Sequence, residues 1–91
     1  MSNNYEITII SDTDCKDCKR MYNLITDILS EMRLDSRVKV VKIDSDAENA
    51  VDIAIQKKIY DLPGCSIGDI SIYGKDFTSK DIREAIEKLI Q

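Results

Sequence analysis

Tyr5-Glu6-Ile7-Thr8-Ile9-Ile10-Ser11-Asp12-Thr13-Asp14-Cys15-Lys16-Asp17-Cys18 carries the chain from an apolar run, through polar residues, into a cysteine pair. Tyr5 to Ile10 reads as a strand, rich in β-branched residues. From about Lys16 to Arg33 the apolar residues Cys18, Met21, Tyr22, Ile25, Ile28, Leu29 and Met32 recur with a helical period. The pair Cys15-x-x-Cys18 therefore falls where a strand gives way to the N-terminus of an amphipathic helix. Unpaired backbone N–H groups and the helix dipole favour a thiolate there. Cys15 lies at the open start of the helix, and Cys18 lies one turn in, on the buried stripe. That spacing lets the second thiol close a disulfide with the first.

Outward from this junction, Val38 to Ile43 reads as a second strand. Ser45-Asp46-Ala47-Glu48 has the form of a capping box and predicts a second helix toward Ile59, with Ala47, Ala50, Val51, Ala54 and Ile55 on one face. Cys65-Ser66-Ile67 and Ile70-Ser71-Ile72-Tyr73 flank Gly68-Asp69, a two-residue hairpin turn. Gly74-Lys75-Asp76 is another turn, read as a simple tight turn or as a ligand-binding one. Thr78-Ser79-Lys80-Asp81 caps a last helix bearing Ile82, Ala85, Ile86, Leu89 and Ile90 on one face. The order is βαβαββα. The helix crossover makes the first two strands parallel and the hairpin makes the last two antiparallel. The expected fold class is α/β: a four-stranded mixed sheet with helices on both faces, formed by residues 1–91 as a single domain.

The 91 residues carry 43% hydrophobic and 33% charged residues and a formal charge of −4, with both signs interspersed. This composition fits a globular chain and lacks a basic nucleic-acid surface. No apolar run is long enough to span a bilayer, and Met1-Ser2-Asn3-Asn4 does not read as the start of a secretory leader. Histidine is absent, which removes the commonest general base and metal ligand. The three cysteines, an odd number without a leader, suit a reducing compartment in which one pair cycles. The expected location is cytoplasmic.

The chain resembles the glutaredoxin branch of the thioredoxin superfamily. Ile9-Ile10-Ser11-Asp12-Thr13-Asp14-Cys15-Lys16-Asp17-Cys18 is similar to the family's strand end and cysteine motif. Leu62-Pro63 is similar to its Val-Pro dipeptide, and Pro63 to Asp76 to the hairpin and Gly-x-Asp turn that follow. The resemblance implies the thioredoxin (glutaredoxin-like) fold and a cis Leu62–Pro63 bond facing the cysteine pair. It also implies a substrate-binding role for Leu62 and Pro63, with Leu62 pairing its backbone to an extended substrate. Asp12 and Gly64 stand where relatives carry basic groups that hold glutathione carboxylates, so glutathione is expected to fit poorly. Small glutaredoxin-like proteins that behave as thioredoxins are the group this chain is most similar to.

The expected activity is thiol–disulfide oxidoreduction, with Cys15 the nucleophile and Cys18 the resolving thiol. No bound cofactor is required. The expected partners are a disulfide-containing protein substrate and a reductase as electron donor (thioredoxin reductase, glutathione or a ferredoxin-linked enzyme). No nucleic acid or membrane is expected, and the chain is expected to act as a monomer. The alternatives from other classes are a soft-metal module holding a Cu(I)-type ion on the same pair, and a redox-inactive interaction domain that kept the fold. A structural zinc site would need four ligands, which these cysteines do not make. Lys16, Lys19 and Arg20 favour ionisation of Cys15, whereas Asp12, Asp14 and Asp17 oppose it. Cys65 reads as a small buried hydrophobe, the sharper alternative being a third redox thiol.

Overall fold

The sheet is built around the apolar N-terminal strand. In the computed structural model, which describes residues 5–91, β1 (Tyr5–Ser11) lies between β2 (Val38–Asp44) and β3 (Gly64–Ile67), and β4 (Ile70–Tyr73) closes the order β2-β1-β3-β4. Residues 1–4, read above for the absence of a leader, lie outside the described residues. β1 runs parallel to β2, with Tyr5 opposite Val38 and Ser11 opposite Asp44. It runs antiparallel to β3, with Ile10 opposite Gly64 and Ile9 opposite Cys65. The β3–β4 hairpin turns at Gly68, whose φ of 61° suits a residue without a Cβ.

Strand alternation divides the apolar residues between two faces. Ile7, Ile9, Cys65 and Ile67 join one core cluster with Met21, Ile25, Ile28 and Leu29 of α1 (Lys16–Glu31) and Ile82, Ala85 and Ile86 of α3 (Ser79–Leu89). Ile10 points the other way, into a hollow it shares with Ala50 and Ala54 of α2 (Ala50–Lys57) and with Ile59. The fold is thus the expected four-stranded mixed sheet with three helices, α1 and α3 on one face and α2 on the other. Thr78 and Asp81 form the expected reciprocal capping box at the start of α3.

Two boundaries differ from the sequence expectation. The Ser45–Glu48 box does not form. Ser45 donates its N–H to Ser11 O at 2.9 Å, continuing the sheet. The Asp44 carboxylate takes the Asp46 N–H and the Asp44 carbonyl takes the Ala47 N–H, so the segment is a turn. The helix begins only at Ala50, after Asn49 with no side-chain cap, and it buries little: Val51 and Ile55 are 66% and 65% exposed. At the other end of the first crossover, α1 stops two residues short of Arg33. Arg33 takes a left-handed φ of 57°, Arg33 N–H reaches Ser30 O at 3.1 Å and Leu34 N–H reaches Leu29 O at 2.8 Å. This is a Schellman stop, sealed by the buried pair Leu29 and Leu34. Lys58, with φ 58°, ends α2 in the same way, with Ile59 N–H on Ala54 O at 2.9 Å.

Candidate active site

The end of β1 and the start of α1 are joined by a turn in which Cys15 N–H donates to Asp12 O at 3.2 Å. That turn leaves Cys15 as the N-cap residue of α1, in an extended conformation. The cap is a sulfur: Cys15 Sγ accepts the Cys18 N–H at 3.0 Å, the part usually played by a serine or aspartate oxygen. Cys15 is half-buried, while Cys18 is 2% exposed and belongs to the buried stripe of α1. The two are joined by a disulfide across a Cα–Cα separation of 5.2 Å. One sulfur is reachable from solvent and the other lies behind it. The reachable one has a backbone donor and a helix terminus to stabilise negative charge.

Leu62 and Pro63 come to the same end of the sheet. Because Ile10 faces Gly64, the antiparallel register puts Pro63 in line with Ser11, where β1 leaves for the cysteine turn. The Leu62–Pro63 bond is cis, as the resemblance implied. Pro63 is buried, Leu62 is half-buried, and the Pro63 carbonyl accepts Gly74 N–H at 2.9 Å. The Leu62 N–H is not free: Asp61 Oδ1 accepts it at 2.8 Å. Gly64 has a steric reason. A Cβ there would overlap the Ile59 side chain and lie 2.8 Å from the Asp61 carbonyl oxygen. A basic side chain at this position has no room.

Two hollows open beside these residues. One, of about 450 Å³, is lined by Ser11, Asp12, Thr13, Cys18, Lys19, Lys42 and Asp44. The other, of about 220 Å³ and mostly apolar, lies between α2 and the Tyr60–Leu62 segment. A larger one of about 480 Å³ lies between β4 and α3 and touches neither cysteine.

Comparison with solved structures bears on the fold. The chain superimposes on an uncharacterized thioredoxin-like protein from Clostridium perfringens with a TM-score of 0.75 at 14% identity, covering 98% of this chain and 73% of that one. Thioredoxin O2 from Arabidopsis thaliana, in its oxidized state, gives 0.70 at 14% identity, covering 98% and 77%. The chain has the thioredoxin fold. Thioredoxin 1 from Thermosipho africanus gives 0.63 at 19% identity, covering 93% of each chain. No protein-family model matches the sequence, and no curated relative does. At these identities the likeness is one of fold.

Within this thioredoxin fold the other sequence candidates separate. Cys65 is free, fully buried, and part of the core between the sheet and the α1–α3 layer. Burial pushes its thiol up to about 12 from 9.0, with a partial offset from the backbone of Ile72. It is a core side chain held as a neutral thiol, the hydrophobe reading of the sequence. Among the described residues, no three histidine, cysteine or acidic side chains gather to hold a metal ion, and no helix is long and apolar enough to cross a membrane.

Sequence reading missed Arg20 as an organiser. The sequence offers it as a cation favouring the Cys15 thiolate. Its guanidinium also lies 4.1 Å from the centre of the Phe77 ring, donates to Lys75 O at 3.0 Å and pairs with Asp17 at 3.5 Å. It thereby straps the first turns of α1 to the β4–α3 loop. The Asp17–Arg20 spacing is visible in the sequence; Phe77 as the far anchor is not.

Proposed function

We propose that this protein is a dithiol–disulfide oxidoreductase acting on protein disulfides. The observation that carries the reading is the asymmetry of the pair: Cys15 Sγ, half-buried at the helix start, takes the Cys18 N–H at 3.0 Å, while Cys18 is buried behind it. In the reduced protein the same donor and helix terminus stabilise a Cys15 thiolate without a histidine. That thiolate attacks one sulfur of a substrate disulfide. A Cys15–substrate mixed disulfide forms and the other substrate sulfur leaves as a thiolate. Cys18, deprotonated, then attacks Cys15 Sγ, expelling the second substrate thiolate and leaving the Cys15–Cys18 disulfide. Two electrons have passed to the substrate, and a reductase acting as electron donor restores them to the Cys15–Cys18 disulfide.

Leu62 and Pro63 form the docking edge, pairing an extended substrate segment beside the cysteines. No bound cofactor enters the reaction. The reading has the chain working as a monomer in the cytoplasm, within cellular redox homeostasis and electron transport between thiols, with neither nucleic acid nor membrane as partner.

Reduction of insulin disulfides by the purified protein, regenerated with dithiothreitol, tests this. The expected result is precipitation of the insulin B chain well ahead of the dithiothreitol-only rate, abolished by Cys15→Ser. A wild-type rate equal to the dithiothreitol blank contradicts the reading.

A further inference from the structure

The exposed Asp61 turns its carboxylate back onto the chain: Oδ1 accepts the Leu62 N–H at 2.8 Å. The backbone on either side of Asp61 is held to the end of β4. Tyr60, one residue before, meets the Tyr73 ring edge-on with centroids 5.6 Å apart. Pro63 O, two residues after, takes the Gly74 N–H at 2.9 Å. The segment is fastened to the end of β4 on both sides of Asp61, so the carboxylate rests on a fixed base.

An extended partner that pairs with Leu62 needs the N–H that Asp61 now occupies. Each docking event must first break the Asp61 contact. A carboxylate released into water only regains hydration. One released beside a substrate cation gains a charge-assisted partner, and the net charge of −4 draws such substrates from a distance. We propose that Asp61 gates the Leu62 docking edge and selects substrate disulfides flanked by Lys or Arg. The proposal rests on the reading of Leu62 as a substrate-docking residue. Asp61 acts through the Leu62 amide and touches no reacting sulfur, so it is a positioning residue.

The test uses the whole, pre-reduced protein in single-turnover reactions with two synthetic peptide disulfides, one with Lys and one with Ser beside each half-cystine. Wild type is expected to oxidise against the Lys peptide about threefold faster than against the Ser peptide, the size of an exposed ion pair. Asp61→Ala frees the donor, so the Ser peptide gains about three- to tenfold through a lower half-saturating concentration, and the Lys advantage disappears. Asp61→Asn keeps an oxygen acceptor without the charge: the Ser peptide stays slow and the Lys advantage is lost. Hydrogen exchange at the Leu62 amide rises in Asp61→Ala and not in Asp61→Asn. An unchanged Ser-peptide rate in Asp61→Ala overturns the gate, and equal wild-type rates for the two peptides overturn the selectivity. Wild type that transfers electrons to neither peptide overturns the oxidoreductase reading itself, and with it this proposal.

Discussion

Cys18 donates its backbone N–H to Cys15 Sγ at 3.0 Å while burying its own sulfur in the core stripe of α1. One residue therefore does two things for the pair. Its amide is placed to steady charge on the outer sulfur once the pair is reduced, and its own side chain, 2% exposed, is far less accessible than that of Cys15.

The reduced protein should show this asymmetry directly. Iodoacetamide near neutral pH is expected to modify Cys15 first and Cys18 well behind it, with Cys65 reacting only after unfolding, as read by peptide mass spectrometry over time. Earlier modification of Cys18 or Cys65 contradicts the assignment of the outer thiol.

Gly64 links the proposed docking edge to stability. Gly64→Ala drives a Cβ into the Ile59 side chain and against the Asp61 carbonyl at 2.8 Å, so the 59–62 segment must shift. A loss of about 1–3 kcal/mol is expected from such overpacking, measured as a lower urea midpoint at unchanged slope. Ile59→Ala in the same chain removes the larger obstacle and should recover part of the loss relative to the sum of the single changes. A stability equal to wild type in Gly64→Ala is the contrary result.

Cys65 sets an alkaline limit. Its thiol sits near 12 in the folded chain against 9.0 unfolded. Between those values the unfolded state has lost the proton and the folded state keeps it, so stability is full below about pH 9 and falls as pH rises, by roughly 1 kcal/mol per unit. Urea midpoints at pH 8, 9.5 and 10.5 should therefore decline more steeply for wild type than for Cys65→Ala. Parallel declines contradict a buried neutral thiol.

Much of this was legible in the sequence, because the informative features are local. The strand and helix order, the Thr78–Asp81 box, the Gly68 turn and the place of Cys15 at a helix start all follow from residues close in the chain. What escaped depends on distant partners or on the absence of a usual residue. Ser45–Glu48 has the letters of a capping box, but the Ser11 carbonyl and Asp44 claim its backbone first. The stops at Arg33 and Lys58 are left-handed without glycine, made worthwhile by burying Leu34 and Ile59. Arg20 on Phe77 joins residues far apart in sequence. The Asp61 cap on Leu62 joins neighbours, yet an aspartate before a leucine announces nothing until the backbone is seen.

In the proposed function Cys15 exchanges with a substrate disulfide and Cys18 resolves the product. The most direct measurement is intact mass spectrometry of reduced Cys18→Ser after mixing with a peptide disulfide, followed by mapping of the adduct. A stable one-to-one mixed disulfide located at Cys15 and released by reductant is expected, with no such adduct in Cys15→Ser. An adduct on Cys65, or none on Cys15 in Cys18→Ser, contradicts it.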